Sequence, residues 1–448
     1  MKTRPHIVII GCGFGGLETA RALQRAAVDV TVIEKTNHHL FQPLLYQVAT
    51  AGLAAPSIAA PVRQLFRHQR NITTLLGEVC GISARTHEVE LKDGTRIAYD
   101  HLVVAAGTTH SYFGHDEWAA SAPGLKTLAD AFEIRRRVLM SFEAAENEPD
   151  PARQRALMTF CVIGAGPTGV EMAGTLAEIA RHTLKGEFRR IDPASATVLL
   201  IEGGPRVLQA MPDSLSRKAE QQLEKLGVEV RLNAKVTMID PDGLQVEAGT
   251  PDGGGSYRIE SHCVVWAAGV AASPLGRLLA TATDAPASDI DRAGRIRVLP
   301  DLSLASHPEI SVIGDLAAAS SHAPGKEPTP VPGVSPAAKQ MGRAAAHNIL
   351  CRMAGKETKP FRYRDYGNLA TIGRNAAVVD LGTPLGPLRF SGRMAWLFWL
   401  FAHVYFLIGF RNRIVVLMDW ASAYWSFDRN ARVIADVRGK QESQGGSL

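Results

Sequence analysis

Five cysteines in 448 residues, Cys12, Cys80, Cys161, Cys263 and Cys351, are too few and too scattered for a disulfide framework. None forms a C-x-x-C or similarly close pair, so neither a zinc or other metal site nor a local redox disulfide is expected, and a reducing compartment fits. The oiliest stretch, residues 395–410, falls short of the roughly 20 apolar residues that span a bilayer. Charge of neither sign dominates: 49 Lys and Arg against 44 Asp and Glu leave +5. That mild excess suits an anionic surface such as lipid headgroups. No basic run is interleaved with aromatics, so no nucleic-acid partner is expected. The first apolar run starts within ten residues of the beginning, so no signal or transit peptide is expected. What remains, with 46% apolar residues, is enough core for two or three domains.

The chain is organised around residues 7–34. Ile7-Val8-Ile9-Ile10 reads as a buried strand. Gly11-Cys12-Gly13-Phe14-Gly15-Gly16 is a G-x-G-x-x-G turn, residues 17–25 read as a helix, and residues 30–33 as a second strand ending at Glu34. One glycine makes the turn, one admits a pyrophosphate to the backbone, and one lets helix and strand pack closely. The helix N-terminus offers free N–H groups to the pyrophosphate, and Glu34 is placed to accept from ribose hydroxyls. Residues 37–50 read either as a partly buried loop or as a flavin-contact segment. Residues 75–104 alternate short strands and turns and run into Ala105-Ala106-Gly107, where Ala106 and Gly107 leave room for a cofactor against the backbone.

After a charged helix and linker over 126–149, the theme repeats. A strand at 159–163 leads into Gly164-Ala165-Gly166-Pro167-Thr168-Gly169, a helix from 170 to about 181, and a strand at 196–201 ending at Glu202. Two such units mean two dinucleotide sites, which is far more specific than one. Glu202 repels a 2′-phosphate and favours NADH over NADPH; Arg206 nearby softens that preference. Glu171 is either an ordinary first-turn acid or a functional acid near the nicotinamide. The strand at 263–266 runs into Ala267-Ala268-Gly269, an echo of Ala105-Ala106-Gly107, and 281–294 read as the crossover back to the first domain. The strand at 310–313 ends in Gly314-Asp315, an acceptor for a ribityl hydroxyl. A helix over 337–353 follows a Pro-rich loop, with its N-terminus placed to face a flavin carbonyl. In the tail, residues 395–410 and 414–427 read as two helices separated by Arg411-Asn412-Arg413. Trp396, Trp399, Tyr405, Trp420, Tyr424 and Trp425 give them the composition of a membrane interface, favoured here over core packing. A dimer contact on part of that surface is compatible.

These residues, with Phe41-Gln42-Pro43-Leu44-Leu45-Tyr46-Gln47, Val312-Ile313-Gly314-Asp315 and Gly409-Phe410-Arg411-Asn412-Arg413, resemble the type II NADH:quinone oxidoreductases over essentially the whole chain. The resemblance implies an α/β fold of two Rossmann-like domains. Residues 1–118 and 290–375 would hold FAD non-covalently, 119–289 would hold NADH, and 376–448 would form a membrane-association or dimerisation region. It implies FAD contacts at the first glycine turn, Glu34, Lys35, Val79, Ala106, Gly107, Asp315 and Ala338. NADH contacts fall at Gly164, Gly166, Gly169, Glu202 and Gly269. Glu171 becomes the catalytic acid, and Gln42, Leu45 and Gln340 fall on the quinone side. Where the family has Ala-Gln-x-Ala-x-Gln, this chain reads Ser335-Pro336-Ala337-Ala338-Lys339-Gln340, so the first Gln is replaced by Pro336. The implied activity is non-proton-pumping quinone reduction by a peripheral enzyme on the cytoplasmic face of the cell membrane. The alternatives are a sulfide:quinone oxidoreductase using Cys161 and Cys351, or a soluble-type NAD(P)H flavoprotein reductase.

Overall fold

The computed structural model describes residues 4–249, 254–383, 386–426, 429 and 431–434. In chain order, the elements that frame the site begin with β1 (His6–Ile10), α1 (Phe14–Ala22), β2 (Asp29–Glu34) and the short α2 (Leu45–Ala49). Then come β3 (Ile72–Leu76), β4 (His101–Val104), α3 (Leu128–Asn147) and β5 (Thr159–Ile163). The second unit continues with α4 (Pro167–Glu178), β6 (Thr197–Ile201), β7 (Val228–Arg231) and β8 (Cys263–Trp266). The chain returns through β9 (Ile310–Val312) and α5 (Ser335–Met353). It ends in β10 (Asn368–Thr371), β11 (Ala377–Thr383), β12 (Gly386–Ser391), α6 (Arg393–Phe406) and α7 (Phe410–Ser426).

The first sheet has the parallel order β9-β4-β1-β2-β3, and the second the parallel order β7-β6-β5-β8. β1, β5, β6 and β8 are buried almost throughout, as strands covered on both faces must be. β9 enters the first sheet after the whole second sheet has been built, so that layer draws on both ends of the chain. A two-stranded ribbon, Thr108–His110 against Val270–Ala272, joins the units. It grows directly out of the two Ala-Ala-Gly turns, so the C-terminal edges of the two sheets are tied face to face.

Both helices after the glycine turns start earlier than their apolar pattern suggests. α1 begins at Phe14 instead of Leu17 and ends at Ala22 instead of Arg25. α4 begins at Pro167, whose missing N–H costs nothing in the first turn, and ends at Glu178, after which Ile179–Thr183 widen into a π turn. Gly13 and Gly166 are therefore the helix N-caps, and the free donors are N–H groups of the first helical turn, those of Gly15 and Gly16 in α1 and of Thr168 and Gly169 in α4.

The tail corrects the sequence reading in two places. The break between its helices falls at Leu407-Ile408-Gly409, with Gly409 at φ +90°, and Arg411 to Arg413 lie inside α7. Nor is the aromatic set all interfacial: Trp399 is buried with Ala395, Leu407 and Val416 in the core that also holds α4, and the half-buried Trp420 donates to Gln47 Oε1 at 2.7 Å. The side chains of Tyr424 and Trp425 lie outside the described part. The opposite face of the pair is bare: Met394, Leu397, Phe401, Tyr405, Phe410 and Met418 are all exposed.

Candidate active site

The two glycine turns are built alike. Gly11 (φ +93°) donates to Ile33 O at 2.8 Å, and Gly164 (φ +98°) to Ile201 O at 2.7 Å. A Cβ on Gly11 would lie 2.6 Å from Ala105 O, and one on Gly164 2.5 Å from Ala268 Cα. On Gly16 and Gly169 it would lie 1.9 and 1.8 Å from the preceding turn's carbonyl. Packing therefore requires these four glycines. Gly13 and Gly166 differ. Each has an ordinary extended backbone (φ −66° and −69°), and a Cβ there would meet nothing within 4 Å. Among the described residues no protein atom explains glycine at either position. Open space at a helix N-terminus fits a diphosphate in both turns.

Each acid is held by its own turn. Glu34 Oε2 accepts from the Cys12 N–H at 2.6 Å, and Glu202 Oε2 from the Ala165 N–H at 2.7 Å. Oε1 of Glu34 also accepts from the Thr36 N–H and hydroxyl at 3.1 Å each, and Oε1 of Glu202 from the Gly204 N–H at 2.8 Å and the Gln209 amide at 3.2 Å, so the second lone pair on each Oε2 is what suits a ribose hydroxyl. Arg206 does not oppose Glu202: its guanidinium donates to the Met211 and Gln209 carbonyls and pairs with Asp213 at 2.8 Å. The Glu202 carboxylate keeps its full repulsion towards a 2′-phosphate, which favours NADH.

The other expected cofactor contacts surround the first turn. Gly107 (φ +65°) faces open space, with Ala106 half-buried beside it. Val79 is buried and Lys35 exposed at the sheet edge next to Glu34. Phe14 opens α1 beside buried Cys12 and Gly15. α5 crosses α1 so closely that a Cβ on Gly342 would lie 2.3 Å from Gly15 O, which brings Ala338 to the turn. Asp315 follows β9; burial raises its carboxyl pKa, with Lys126 and Arg295 pulling it back down. No hydrogen bond reaches that carboxylate among the described residues, so an acceptor stands ready for a ribityl hydroxyl. Lys126, which the sequence reading passed over, donates to Thr108 Oγ1 at 2.7 Å and faces Asp315. These residues fit FAD. In the second unit, a Cβ on Gly269 would lie 2.7 Å from the Phe113 ring, so that glycine serves the contact between the units.

Glu171 lies on α4 where the second unit meets the tail, with only 7% of its surface exposed. Burial raises its pKa to about 8; the Thr371 N–H, 3.5 Å away, and the Trp399 indole pull the other way. At neutral pH it therefore carries a proton. The Tyr46 phenol shares this pocket and is also raised by burial and by the Glu171 charge. Beside them opens a cleft of about 110 Å³ bounded by Tyr46, Gln47, Thr371, Trp399, Trp420 and Arg429. Tyr46, Thr371 and Trp399 come from three distant segments: the Phe41–Gln47 stretch pointed to Tyr46, Trp399 is expected only at a membrane interface, and nothing pointed to Thr371. Leu45 is buried in α2, and Gln42 donates to Lys126 O at 3.0 Å. Gln340 is bound at both ends of its amide to the Arg364 backbone, at 2.9 Å each.

Cys161 and Cys351 do not approach each other: Cys161 is sealed in β5, its thiol pushed up to about 12 by burial, and Cys351 contacts His347 on α5. Replacing both with serine is expected to leave quinone-dependent NADH oxidation within about twofold of wild type, because Cys161 is sealed in β5 and the partly exposed Cys351 lies near the far end of α5, so the two cannot act as a pair. Steady-state assay of the double variant checks this.

Two mirrored nucleotide cradles on parallel sheets, facing each other across a shared ribbon, define a two-dinucleotide flavoprotein. The sequence profile of the pyridine nucleotide-disulphide oxidoreductases matches residues 5–342, and that of the NDH2 C-terminal domain matches 366–428. The chain is 47% identical to the type II NADH:quinone oxidoreductase Ndh of Mycobacterium tuberculosis, over 97% of this chain and 91% of that one. It is 28% identical to the Haemophilus influenzae type II NADH:quinone oxidoreductase, over 87% and 90%. NDH2 of Plasmodium falciparum in complex with NADH has the same fold, with a TM-score of 0.82 at 19% identity, over 96% of this chain and all of that one. The chain belongs to the type II NADH:quinone oxidoreductases.

Proposed function

We propose that this chain is a non-proton-pumping respiratory NADH dehydrogenase that docks on a membrane surface and uses FAD. The balanced reaction is NADH + quinone + H⁺ → NAD⁺ + quinol. The observation that carries this reading is the pair of open glycines, Gly13 and Gly166, at matching places in cradles tied face to face. Bound FAD supplies a two-electron relay between a hydride donor and a quinone. The chain supplies position and charge. Residues 1–118 and 290–375 hold FAD through the first turn, Glu34, Gly107 and Asp315. Residues 119–289 hold NADH through the second turn and Glu202. Glu171 holds a proton on its carboxyl where the second unit meets the tail. Quinone approaches from the side of Gln42, Leu45 and Gln340, beneath α6.

Anaerobic mixing with NADH should bleach the bound flavin's absorbance, and added quinone should restore it. Failure of quinone to restore it sinks the reading.

Membrane docking belongs to residues 376–448, and is supported by the bare face of α6 and α7. Phe401 is 67% exposed and Phe410 77%, with Arg393, Arg411 and Arg413 nearby on the same helices. No helix among the described residues is long and apolar enough to cross a membrane, so the pair would lie in one leaflet. NADH supply puts the docked enzyme on the cytoplasmic face. Each buried Phe contributes about 1.5–3 kcal/mol. Phe401→Glu with Phe410→Glu should therefore weaken binding to anionic vesicles by about 100-fold or more in a co-sedimentation assay, with flavin content unchanged. Unaltered vesicle binding would show that this face serves another purpose, such as pairing of two copies.

A further inference from the structure

Lys339 stands in the second turn of α5, one residue past Ala338. Its ammonium lies 5.1 Å from the centroid of Phe14, which belongs to the first glycine turn, and 5.1 Å from that of Phe406 on α6. The side chain is half-buried and makes neither a hydrogen bond nor an ion pair with any described residue. Its nearest carboxylate influence, Glu18, is already paired with Arg343 at 2.8 Å and with Arg21 at 3.8 Å. Arg21, Arg343 and Arg413 add positive potential on the same side, and His39, buried and neutral, adds none. Burial and these cations lower the Lys339 pKa. Two aromatic faces hold a cation weakly, at about 0.5–2 kcal/mol, and leave its three N–H donors unused. A partly buried ammonium at a helix N-terminal end, held only by ring faces, can donate to an oxygen of a flat ring that enters beside it.

What lies around it says which ring. Phe406 stands at the exposed end of α6, while Trp399 and His403 line its inner face and their rings continue inwards: Trp399 stacks on His403 at 4.0 Å, His403 meets Phe41 at 6.3 Å, and Phe41 meets Phe14 at 5.9 Å. This aromatic row runs from buried Trp399 on α6 to the first glycine turn. A flat, apolar ring suits it, and Lys339 stands at the glycine-turn end.

We infer that Lys339 is the acceptor-side cation of this enzyme, donating from its ammonium to the quinone oxygen on which negative charge develops as two electrons arrive. The inference rests on the reading that quinone approaches beneath α6. It also predicts specificity: quinones that already carry an anionic oxygen should be held more tightly than neutral ones of the same shape. Lys339 need not supply either proton of the quinol, since one travels from NADH with the hydride and the other is taken from solvent by way of Glu171.

The test compares two inhibitors on the flavin-loaded enzyme, 2-hydroxy-1,4-naphthoquinone, which is an anion at neutral pH, and its neutral 2-methoxy analogue. Wild type should prefer the anion by about tenfold in Ki, Lys339→Arg should keep most of that preference, and Lys339→Met should lose it. Lys339→Met should also raise KM for a short-chain quinone about tenfold. Flavin content and flavin reduction by NADH in single turnover are measured alongside, and loss of either in Lys339→Met overturns the purely acceptor-side role. A merely structural lysine would change stability or both inhibitors alike, not their ratio. An unchanged ratio, with both compounds competing against quinone, overturns the role of Lys339 alone. So does an unchanged ratio accompanied by lost binding to anionic vesicles, which would make the lysine a headgroup contact. Competition against NADH instead overturns the acceptor-side reading, and the inference falls with it.

Discussion

Gly13→Val and Gly166→Val are expected to yield two folded proteins that fail in different ways. The first should purify with less than about a tenth of the wild-type flavin. The second should keep its flavin and lose its reduction by NADH, with KM for NADH up by about 100-fold or more, equivalent to roughly 2.7 kcal/mol of binding. Neither position has a backbone that needs glycine, and neither added side chain begins against protein. The valine methyls would instead fill the space at the helix N-terminus where a diphosphate must meet free N–H groups. Gly11→Val and Gly164→Val are the contrast. Positive φ and a Cβ within 2.6 Å of backbone set them against the fold itself, so low yield and a lowered Tm are expected there. Flavin absorbance per protein, circular dichroism and anaerobic NADH titration separate these outcomes. If Gly166→Val loses flavin while Gly13→Val keeps it, the assignment of FAD to the first cradle and NADH to the second is reversed.

The cradles were legible because their determinants are local. Ile7 to Ile10 and Thr159 to Ile163 announce buried strands, the glycines follow at fixed spacing, and the acids close each unit within about 40 residues. Legibility ends where chemistry depends on distant segments. Nothing near Asp315 announces Lys126, nor does anything near Glu171 announce Thr371 and Trp399; chain reversal through β9 and the tail sheet brings them together. Arg206 looked free to soften Glu202 because its partners are mostly backbone carbonyls, which carry no sequence signal. In the tail, composition alone could not divide the aromatics. Trp399 turns inwards because β10, β11 and α4 give that face of α6 a core to pack on, while Phe401, two residues later, has none. The helix break was misplaced for a related reason: arginines look like a boundary, yet Gly409, the residue able to take φ +90°, is what turns the chain.

Glu171→Gln is expected to stabilise the protein in alkali while slowing it about 100-fold with quinone. The stability half follows from proton counting. The unfolded Glu171 titrates near 4.5 and the folded one at about 8. Between those values the native state holds a proton that the unfolded state has lost, so stability falls as pH rises and stays lost above about pH 8. The gap of more than three units corresponds to an upper bound of about 5 kcal/mol. Glutamine copies the protonated shape and never ionises. Wild type and variant should therefore melt together near pH 5 and diverge to about 5 °C, variant higher, by pH 9. The kinetic half tests whether that proton is used. A buried carboxyl holding its proton at pH 7 can give it up to a reacting oxygen, an effect worth about 100-fold or more, whereas an amide can only donate a hydrogen bond. Wild-type turnover with quinone should decline above about pH 8 as Glu171 ionises, and the slow turnover of the variant should lack that limb. A stabilised variant at full speed would leave Glu171 as a packing residue of the second unit. A slow variant with the alkaline limb intact would move the titrating group elsewhere. Only the combination of higher Tm, slower turnover and a flat alkaline profile places the working proton on Glu171.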